Sequence, residues 1–314
     1  MSDLPAVPRR RLGRTELSIP VVPFGTQGFG NNFGPVSDEE AVELIRHAVD
    51  LGVNHFDCAR CYGDSLRKLG VALKQGAVGR EEVIITGRLC CHSSAEWGGY
   101  RGDGPADYSA ERVIRDVGDQ LEILGTDHFD GMLIHDPGDM EPTLAQGGTL
   151  AGVLECKERG WVNFAGYGMR PHDFHLKAIA TGDIDLILCF SDYNLLRQTA
   201  ADDILPAAAA ADIGVMNGWS IMRGMLTGVN MDEAIANGRW RRSDDVDGAR
   251  ERWAWCQEEG VDLLQLALQF CLKDERIAGN NIGSLNKEQL EANIRAAATP
   301  VADEVWEKYH ARFG

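Results

Sequence analysis

The sequence lacks long hydrophobic runs and has a deficit of positive charge. Its 314 residues include 31 Lys and Arg against 48 Asp and Glu, which gives a net charge of −17. This excess of negative charge argues against a nucleic-acid surface or an anionic membrane as the partner. No apolar run approaches the length of a membrane span, and residues 1–5 contain no apolar core of signal-peptide length. We therefore expect a cytoplasmic protein that binds a small-molecule substrate; no pattern indicates an oligomeric state.

The first strand-to-helix turn lacks the G-x-G-x-x-G pattern that opens directly into a helix in dinucleotide-binding folds. This absence counts against an open, doubly wound sheet. Hydrophobic residues make up 44% of the chain and charged residues 25%, as in a soluble globular protein. The length allows one large α/β barrel or two ordinary domains.

Eight short apolar runs, each followed by a segment with helical periodicity, predict parallel strands joined by helices. A closed (β/α)8 TIM barrel fits this count and leaves no edge strand, so we predict a single barrel domain over residues 1–314. A hairpin over residues 9–23 is predicted to cover its bottom, and helices over 286–298 and 302–312 follow the last strand. The predicted strands are 21–24, 53–57, 83–86, 132–137, 161–166, 185–190, 214–217 and 277–282.

Residues 53–63 form the stretch around which the chain is organised. A short buried strand ends in Asp57, and Tyr62 follows beside Gly63. A carboxylate and a phenol at the mouth of a strand can act as a proton-transfer pair. The alternative is that Asp57 caps the next helix and Tyr62 only packs. His135 ends the fourth strand, and it too is either a catalytic group or a packing residue.

Asp57-Cys58-Ala59-Arg60-Cys61-Tyr62-Gly63 resembles the Asp-Thr-Ala-x-x-Tyr-Gly signature of the aldo-keto reductases, with Cys58 in place of the usual Thr or Ser. The resemblance extends over nearly the whole chain. Further matching segments are Leu124-Gly125-Thr126-Asp127, Tyr193-Asn194-Leu195-Leu196, Arg223-Gly224 with Leu226-Thr227-Gly228, and Gly283-Ser284 with Gln289-Leu290 and Asn293.

The resemblance implies roles for four residues. Tyr62 would exchange a proton with a carbonyl, His135 would orient the substrate oxygen, and Asp57 would bias Tyr62. The family's Lys is expected after Thr86, where this chain has Gly87. Arg88 comes next and is a candidate substitute, although alternation along the strand would aim it away unless Gly87 allows a bulge.

The resemblance also implies a nicotinamide cofactor, NAD or NADP. Gly283 and Gln289 replace a Lys and an Arg that often grip the 2′-phosphate in the family, which favours NAD slightly. Trp219, beside Gly218, either stacks on a ring or packs. The implied cofactor-binding residues are Gly25, Thr26, Asp57, Asn194, Trp219, Met225, Gly283, Ser284, Gln289 and Asn293.

Eight cysteines raise the alternative of a metal site. Cys58 and Cys61 have C-x-x-C spacing, Cys90-Cys91-His92 follows the next strand, and Cys189 follows strand six; such a set can hold zinc or an iron–sulfur cluster. Buried, inert thiols are the more common outcome, so we predict no metal.

Three aromatic residues raise a separate question. Phe29, Trp97 and Tyr100 form either a wall that binds a ring of the ligand or a loop that packs on itself.

These observations lead to one main hypothesis and two alternatives. The main hypothesis is an NAD(P)-dependent oxidoreductase that interconverts a carbonyl and an alcohol on a small sugar, lactol or aldehyde. The first alternative is a non-redox barrel enzyme (a dehydratase, lyase or isomerase) that uses Tyr62 and His135 for proton transfer. The second is a nucleotide-binding subunit that senses the cofactor.

Overall fold

The computed structural model of the chain describes residues 4–31, 33–90 and 107–314. Within these ranges ten strands alternate with twelve α-helices. The strands are β1 (Arg9–Arg11), β2 (Ser18–Pro20), β3 (Phe24–Gly25), β4 (His55–Asp57), β5 (Ile84–Cys90), β6 (Phe129–His135), β7 (Val162–Met169), β8 (Leu186–Phe190), β9 (Gly214–Gly218) and β10 (Ile277–Asn281). The helices are α1 (Asp38–Asp50), α2 (Ser65–Lys74), α3 (Ala110–Leu124), α4 (Glu141–Leu144), α5 (Thr149–Glu158), α6 (His172–Ala180), α7 (Ile204–Ala210), α8 (Met231–Ala236), α9 (Asp244–Glu259), α10 (Leu263–Lys273), α11 (Lys287–Ala298) and α12 (Asp303–Phe313).

Strands β3 to β10 form one parallel sheet in which the spatial order follows the chain order. The two ends of this sheet meet, because Phe24 bridges Ile282 in parallel and Gly25 N donates to Ile282 O at 3.0 Å. Eight parallel strands in sequential order, closed on themselves and separated by helices, are a TIM barrel. The predicted fold class is therefore confirmed.

The N-terminal hairpin closes the bottom of the barrel. Strand β1 pairs antiparallel with β2, as predicted. Leu12 and Ile19 from this hairpin are fully buried against inward-facing residues of the barrel strands, including Leu133 and Met216. The chemistry must therefore be at the opposite end, where the parallel strands finish.

The helices begin where the sequence signals predict. Ser37 and Glu40 form both bonds of the capping box before α1, and Ser109 accepts a bond from Arg112 N before α3. Residues 226–260 contain α8 and α9. None of the helices in the described ranges is both long and apolar enough to cross a bilayer.

Two strands continue well past the ends that the sequence predicts. Strand β5 continues from Thr86 through Cys90, and β7 continues to Met169. Glycine at Gly87 and Gly168 suggests an early strand end, but β6 pairs with β5 through Cys90 and with β7 through Gly168, and β8 pairs with Met169. The longer β5 matters for function because it carries Arg88 into the barrel.

Candidate active site

Three adjacent strands bring their side chains to one side of the barrel interior. Asp57 ends β4 and pairs with Thr86, and on the next strand pair Cys90 lies opposite His135. Thr86 faces inward, because its Oγ1 lies 2.6 Å from Nε2 of the buried His55. Residues two apart on a strand share a face. Arg88 is therefore directed into the barrel beside Asp57 and His135.

Arg88 reaches the barrel interior, but without the bulge that the sequence prediction required for it. The register of β5 against β6 runs from Thr86 to Cys90 without a shift, so no bulge is needed to bring Arg88 inward. Gly87 faces the helical layer instead: a Cβ built on it would lie 2.8 Å from both Met132 Cε and Phe129 Cε1. A Lys at position 87 would point away from the pocket, whereas position 88 supplies its cation.

Arg88 forms a buried ion pair with Asp57. Its Nε donates to Asp57 Oδ1 at 3.0 Å and its Nη2 donates to Oδ2, which is the two-bond arrangement that guanidinium and carboxylate groups favour. The side chains are only 8% and 3% exposed. Burial opposes the positive charge, but the attraction of Asp57 outweighs it and raises the pKa of Arg88. The arginine is therefore a permanent cation inside the barrel.

Arg88 also sets the protonation of His135. Its Nη1 lies 3.1 Å from Nε2 of the imidazole. A guanidinium has no acceptor, so Nε2 must accept this bond and the ring proton must lie on Nδ1. Nδ1 in turn lies 3.6 Å from the sulfur of Cys61 and 3.6 Å from that of Cys90. Asp136 Oδ2 is 3.3 Å from Nε2 on the rim of the pocket.

Tyr62 lies above this group. Its ring is half-buried and meets His135 edge-on, with the ring centroids 6.0 Å apart. Arg88 Cζ is 5.5 Å from the Tyr62 ring centroid. Burial raises the pKa of Tyr62 well above its usual value, and the positive charge of Arg88 opposes only part of that effect. In the described part of the chain no hydrogen bond engages its hydroxyl, which leaves the group available to a substrate.

Several predicted cofactor residues have structural partners of their own. Thr26 Oγ1 donates to Asp57 O at 3.0 Å and lies 2.6 Å from Ser65 Oγ. Asn194 is fully buried and its amide bonds the backbone of residues 191, 196 and 197. Met225 is packed in the apolar cluster formed around α8, α9 and α12. These three residues shape the loops around the pocket.

The remaining predicted cofactor residues lie together at the ends of β3 and β10. Gly25 and Gly283 are in contact, since a Cβ on Gly283 would lie 3.2 Å from Gly25 O. Asn293 Nδ2 donates to Ser284 Oγ at 3.1 Å, and Gln289 Oε1 accepts from Leu285 N at 2.9 Å. These bonds hold the loop between β10 and α11 next to the helix N-terminus, a favourable position for a phosphate.

Trp219 and two orphaned polar side chains lie at the ends of β9 and β10. The indole is half-buried, with its centroid 4.8 Å from that of Phe190. Ser220 Oγ and both amide atoms of Asn281 are inaccessible to solvent and have no hydrogen-bond partner among the described residues. Buried polar atoms without partners are rare in native proteins unless a ligand satisfies them. The residues present therefore fit a polar cofactor at this edge of the barrel.

A groove with acidic walls adjoins this cofactor region. It has a volume of about 310 Å³ and lies between α1 and the start of α11. Glu40, Glu43 and Glu288 line it, and Lys287, the cation in its lining, lies 3.3 Å from Glu43. The groove is electrostatically unfavourable for an additional phosphate.

Of the two alternatives for the aromatic residues, Phe29 follows the packing one. Phe29 is fully buried and stacks on Phe24 at 5.3 Å, so it cannot contact a ligand. Trp97 and Tyr100, like Cys91 and His92, lie outside the described residues.

The sequence analysis did not identify Gln120 as part of the site. Its side-chain amide donates to Arg88 O at 3.3 Å and supports β5 from α3.

Comparison with known proteins identifies the family. The aldo/keto reductase family model matches residues 21–311. The chain belongs to the aldo/keto reductase family. It is 30% identical to L-galactose dehydrogenase from Arabidopsis thaliana over 91% of this chain and 87% of that one. It is 27% identical to D-threo-aldose 1-dehydrogenase from a Pseudomonas species over 92% of this chain and 93% of that one.

A solved protein from Pseudomonas aeruginosa, described as an aldo-keto reductase, matches the fold with a TM-score of 0.71. Its sequence is 22% identical, and the match covers 95% of this chain and 98% of that one. The family and the named dehydrogenases among its relatives make the chain an oxidoreductase that interconverts carbonyls and alcohols. Members of this family use a nicotinamide cofactor.

Proposed function

We propose that this aldo/keto reductase oxidises the anomeric hydroxyl of a small sugar lactol with NAD⁺. Two relatives are named as sugar dehydrogenases, and they align over nearly the full length of both chains. The chemistry requires a base for the hydroxyl proton and a fixed positive charge near the oxygen. The juxtaposition of Tyr62 with the Asp57–Arg88–His135 group is the observation that carries this proposal.

Tyr62 is the proton acceptor in the direction of oxidation. Its phenolate takes the proton of the substrate hydroxyl, and a bound nicotinamide supplies the acceptor for hydride. Arg88 stabilises the phenolate through space, in the role that the family gives to Lys, but guanidinium cannot give up a proton. Tyr62 therefore carries out the proton transfer without a second titrating group beside it.

Arg88 rather than His135 contacts the substrate oxygen in this proposal. The bonds to Asp57 and His135 use three of the five guanidinium N–H groups. One N–H remains on each terminal nitrogen, whereas His135 Nε2 already accepts from Arg88 and cannot donate. His135 is thus a positioning residue that holds Arg88 in place.

The acidic groove supports NAD as the cofactor. A 2′-phosphate of NADP that entered this groove would meet Glu40, Glu43 and Glu288. The Lys and Arg that often neutralise this phosphate in the family are Gly283 and Gln289 here. Repulsion between like charges that are partly shielded from water favours the cofactor without this phosphate.

The test is to measure cofactor binding and turnover separately. Fluorescence titration of the purified protein with NAD⁺ and NADP⁺ should give tighter binding of NAD⁺. Addition of a panel of aldoses at several pH values should then produce NADH, with lactone as the product. Absence of binding to either nucleotide would refute the redox proposal. Binding without turnover of any sugar or aldehyde would instead favour a cofactor sensor.

A further inference from the structure

We propose that Cys61, Cys90 and His135 form a binding site for a divalent transition metal, with zinc as the best match. Cys61 follows β4, Cys90 ends β5 and His135 ends β6, so three adjacent strands each deliver one donor atom. Two cysteine sulfurs and one imidazole are the ligand set of several catalytic zinc sites, which leave the fourth position open.

The distances from the two sulfurs to Nδ1 match those around a tetrahedral ion. Zinc binds sulfur at about 2.3 Å and nitrogen at about 2.05 Å, so two such donors at a tetrahedral angle lie about 3.6 Å apart. Both sulfur-to-Nδ1 distances are 3.6 Å. All three donor atoms lie within 4.8 Å of one another. Both sulfur-to-nitrogen separations therefore already suit the ion.

Two of the three proposed ligands are buried, and the third is partly exposed, so a metal ion can enter the site. Cys90 and His135 are only 3% and 5% exposed, whereas Cys61 is half-buried and provides access from the rim. Each thiol gives up its proton to solvent as its sulfur binds. The two thiolates then balance the charge of a divalent cation, so no net charge is added beside Arg88.

Metal binding requires His135 to change its tautomer. Without metal, Nδ1 carries the ring proton and Nε2 accepts from Arg88. With metal on Nδ1, the proton must move to Nε2, which can then donate a hydrogen bond to Asp136 Oδ2 at 3.3 Å and no longer accepts from Arg88. A carboxylate that receives the second N–H of a metal-bound imidazole is the usual arrangement around protein metal sites. Asp136 is thus the hydrogen-bond acceptor that would orient the metal-bound ring of His135.

Cys58 provides a matched control. It has C-x-x-C spacing with Cys61, but it is fully buried and is not part of the group of converging donors. Burial raises the pKa of its thiol, which keeps it protonated. The family usually has Thr or Ser at this position, so Cys58→Ser should fold normally.

The experiment measures binding of Zn²⁺ and Co²⁺ to the reduced full-length protein. We expect one zinc per chain by calorimetry, and an absorption spectrum typical of tetrahedral cobalt with thiolate ligands. Cys61→Ser and Cys90→Ser should both lose this stoichiometric binding and the spectrum, whereas Cys58→Ser should match the wild type. Circular dichroism checks that each variant is folded.

Two results would overturn the proposal. One is a wild-type protein that binds neither ion in the presence of a reductant that does not chelate metals. The other is full binding in Cys61→Ser; this residue is half-buried, so its replacement should fold even if Cys90→Ser does not. Because these readouts do not involve turnover, they remain valid if the proposed sugar oxidation is wrong.

Discussion

Arg88 and Asp57 form a two-bond ion pair inside the barrel, with Nε and Oδ1 3.0 Å apart. Replacing Arg88 with Met would leave the Asp57 carboxylate buried without its partner. We expect a loss of about 3–5 kcal/mol in the free energy of unfolding, measured by urea denaturation. Adding Asp57→Asn removes the orphaned charge and should recover much of that loss. An Arg88→Met variant as stable as wild type would show that the pair contributes little.

Tyr62 should be essential for turnover and dispensable for folding. Tyr62→Phe removes only the hydroxyl, which makes no hydrogen bond within the described residues. Loss of a positioned acid–base group lowers kcat by roughly 10²–10⁴-fold. The matched control is Tyr309→Phe, which removes a buried hydroxyl that donates to Leu195 O and has no contact with the Asp57–Arg88–His135 group among the described residues. Equal losses in the two variants would contradict the role of Tyr62.

The rate of sugar oxidation should rise with pH. The phenolate of Tyr62 is the active form in this direction, and burial raises the pKa of Tyr62. Below that pKa the active fraction grows about tenfold per pH unit, so log kcat against pH should slope upward through neutral pH. Carbonyl reduction needs the neutral phenol and should not show this rise. A flat oxidation profile from neutral to alkaline pH would exclude Tyr62 as the titrating base.

Changes at Gly87 distinguish the two possible positions of the catalytic cation. If position 87 faced the pocket, Gly87→Lys would increase activity. Because a Cβ there lies 2.8 Å from Phe129 and Met132, we expect no gain, and Gly87→Ala should already cost about 1–3 kcal/mol of stability. Urea denaturation and steady-state kinetics measure both effects. A stable, faster Gly87→Lys enzyme would refute the orientation of β5.

Cofactor preference should respond to a single added charge near the groove. Gln289→Arg places a cation in the first turn of α11, which follows the loop of Ser284, and should tighten NADP⁺ binding roughly tenfold, with little effect on NAD⁺. Gln75→Arg adds the same charge at an exposed position at the end of α2 and serves as the control. Titration of each variant with both nucleotides measures the change. Equal gains in the two variants would indicate a general charge effect.

The sequence was sufficient to predict the barrel and most helix limits. Helical periodicity and caps such as Ser37 and Ser109 are local signals, and the structure has the helices that they predict. The hairpin was also predictable, because its strands are close in sequence. Strand ends were harder to predict, since the partner strand rather than the strand's own residues decides how far β5 continues past Gly87.

The direction of side chains in the site could not be predicted from the motif alone. Matching Thr86 to the family pattern placed the cation one residue early, because a sequence match does not reveal which face of the strand Thr86 occupies. The choice between ligand contact and packing at Phe29 could not be made from sequence for a similar reason, since only tertiary packing shows that Phe24 covers it. The convergence of Cys61 and Cys90 on His135, rather than on Cys58, depends on three strands being neighbours.

The hairpin of β1 and β2 has a consequence for how the enzyme evolves. Leu12 and Ile19 of the hairpin pack into the closed end of the barrel. The rigid core is therefore separate from the open end, where the substrate binds. Loops at the open end can change length and sequence to bind a new sugar without disturbing the packing at the closed end. Selectivity can therefore diversify quickly while the scaffold beneath it is inherited intact.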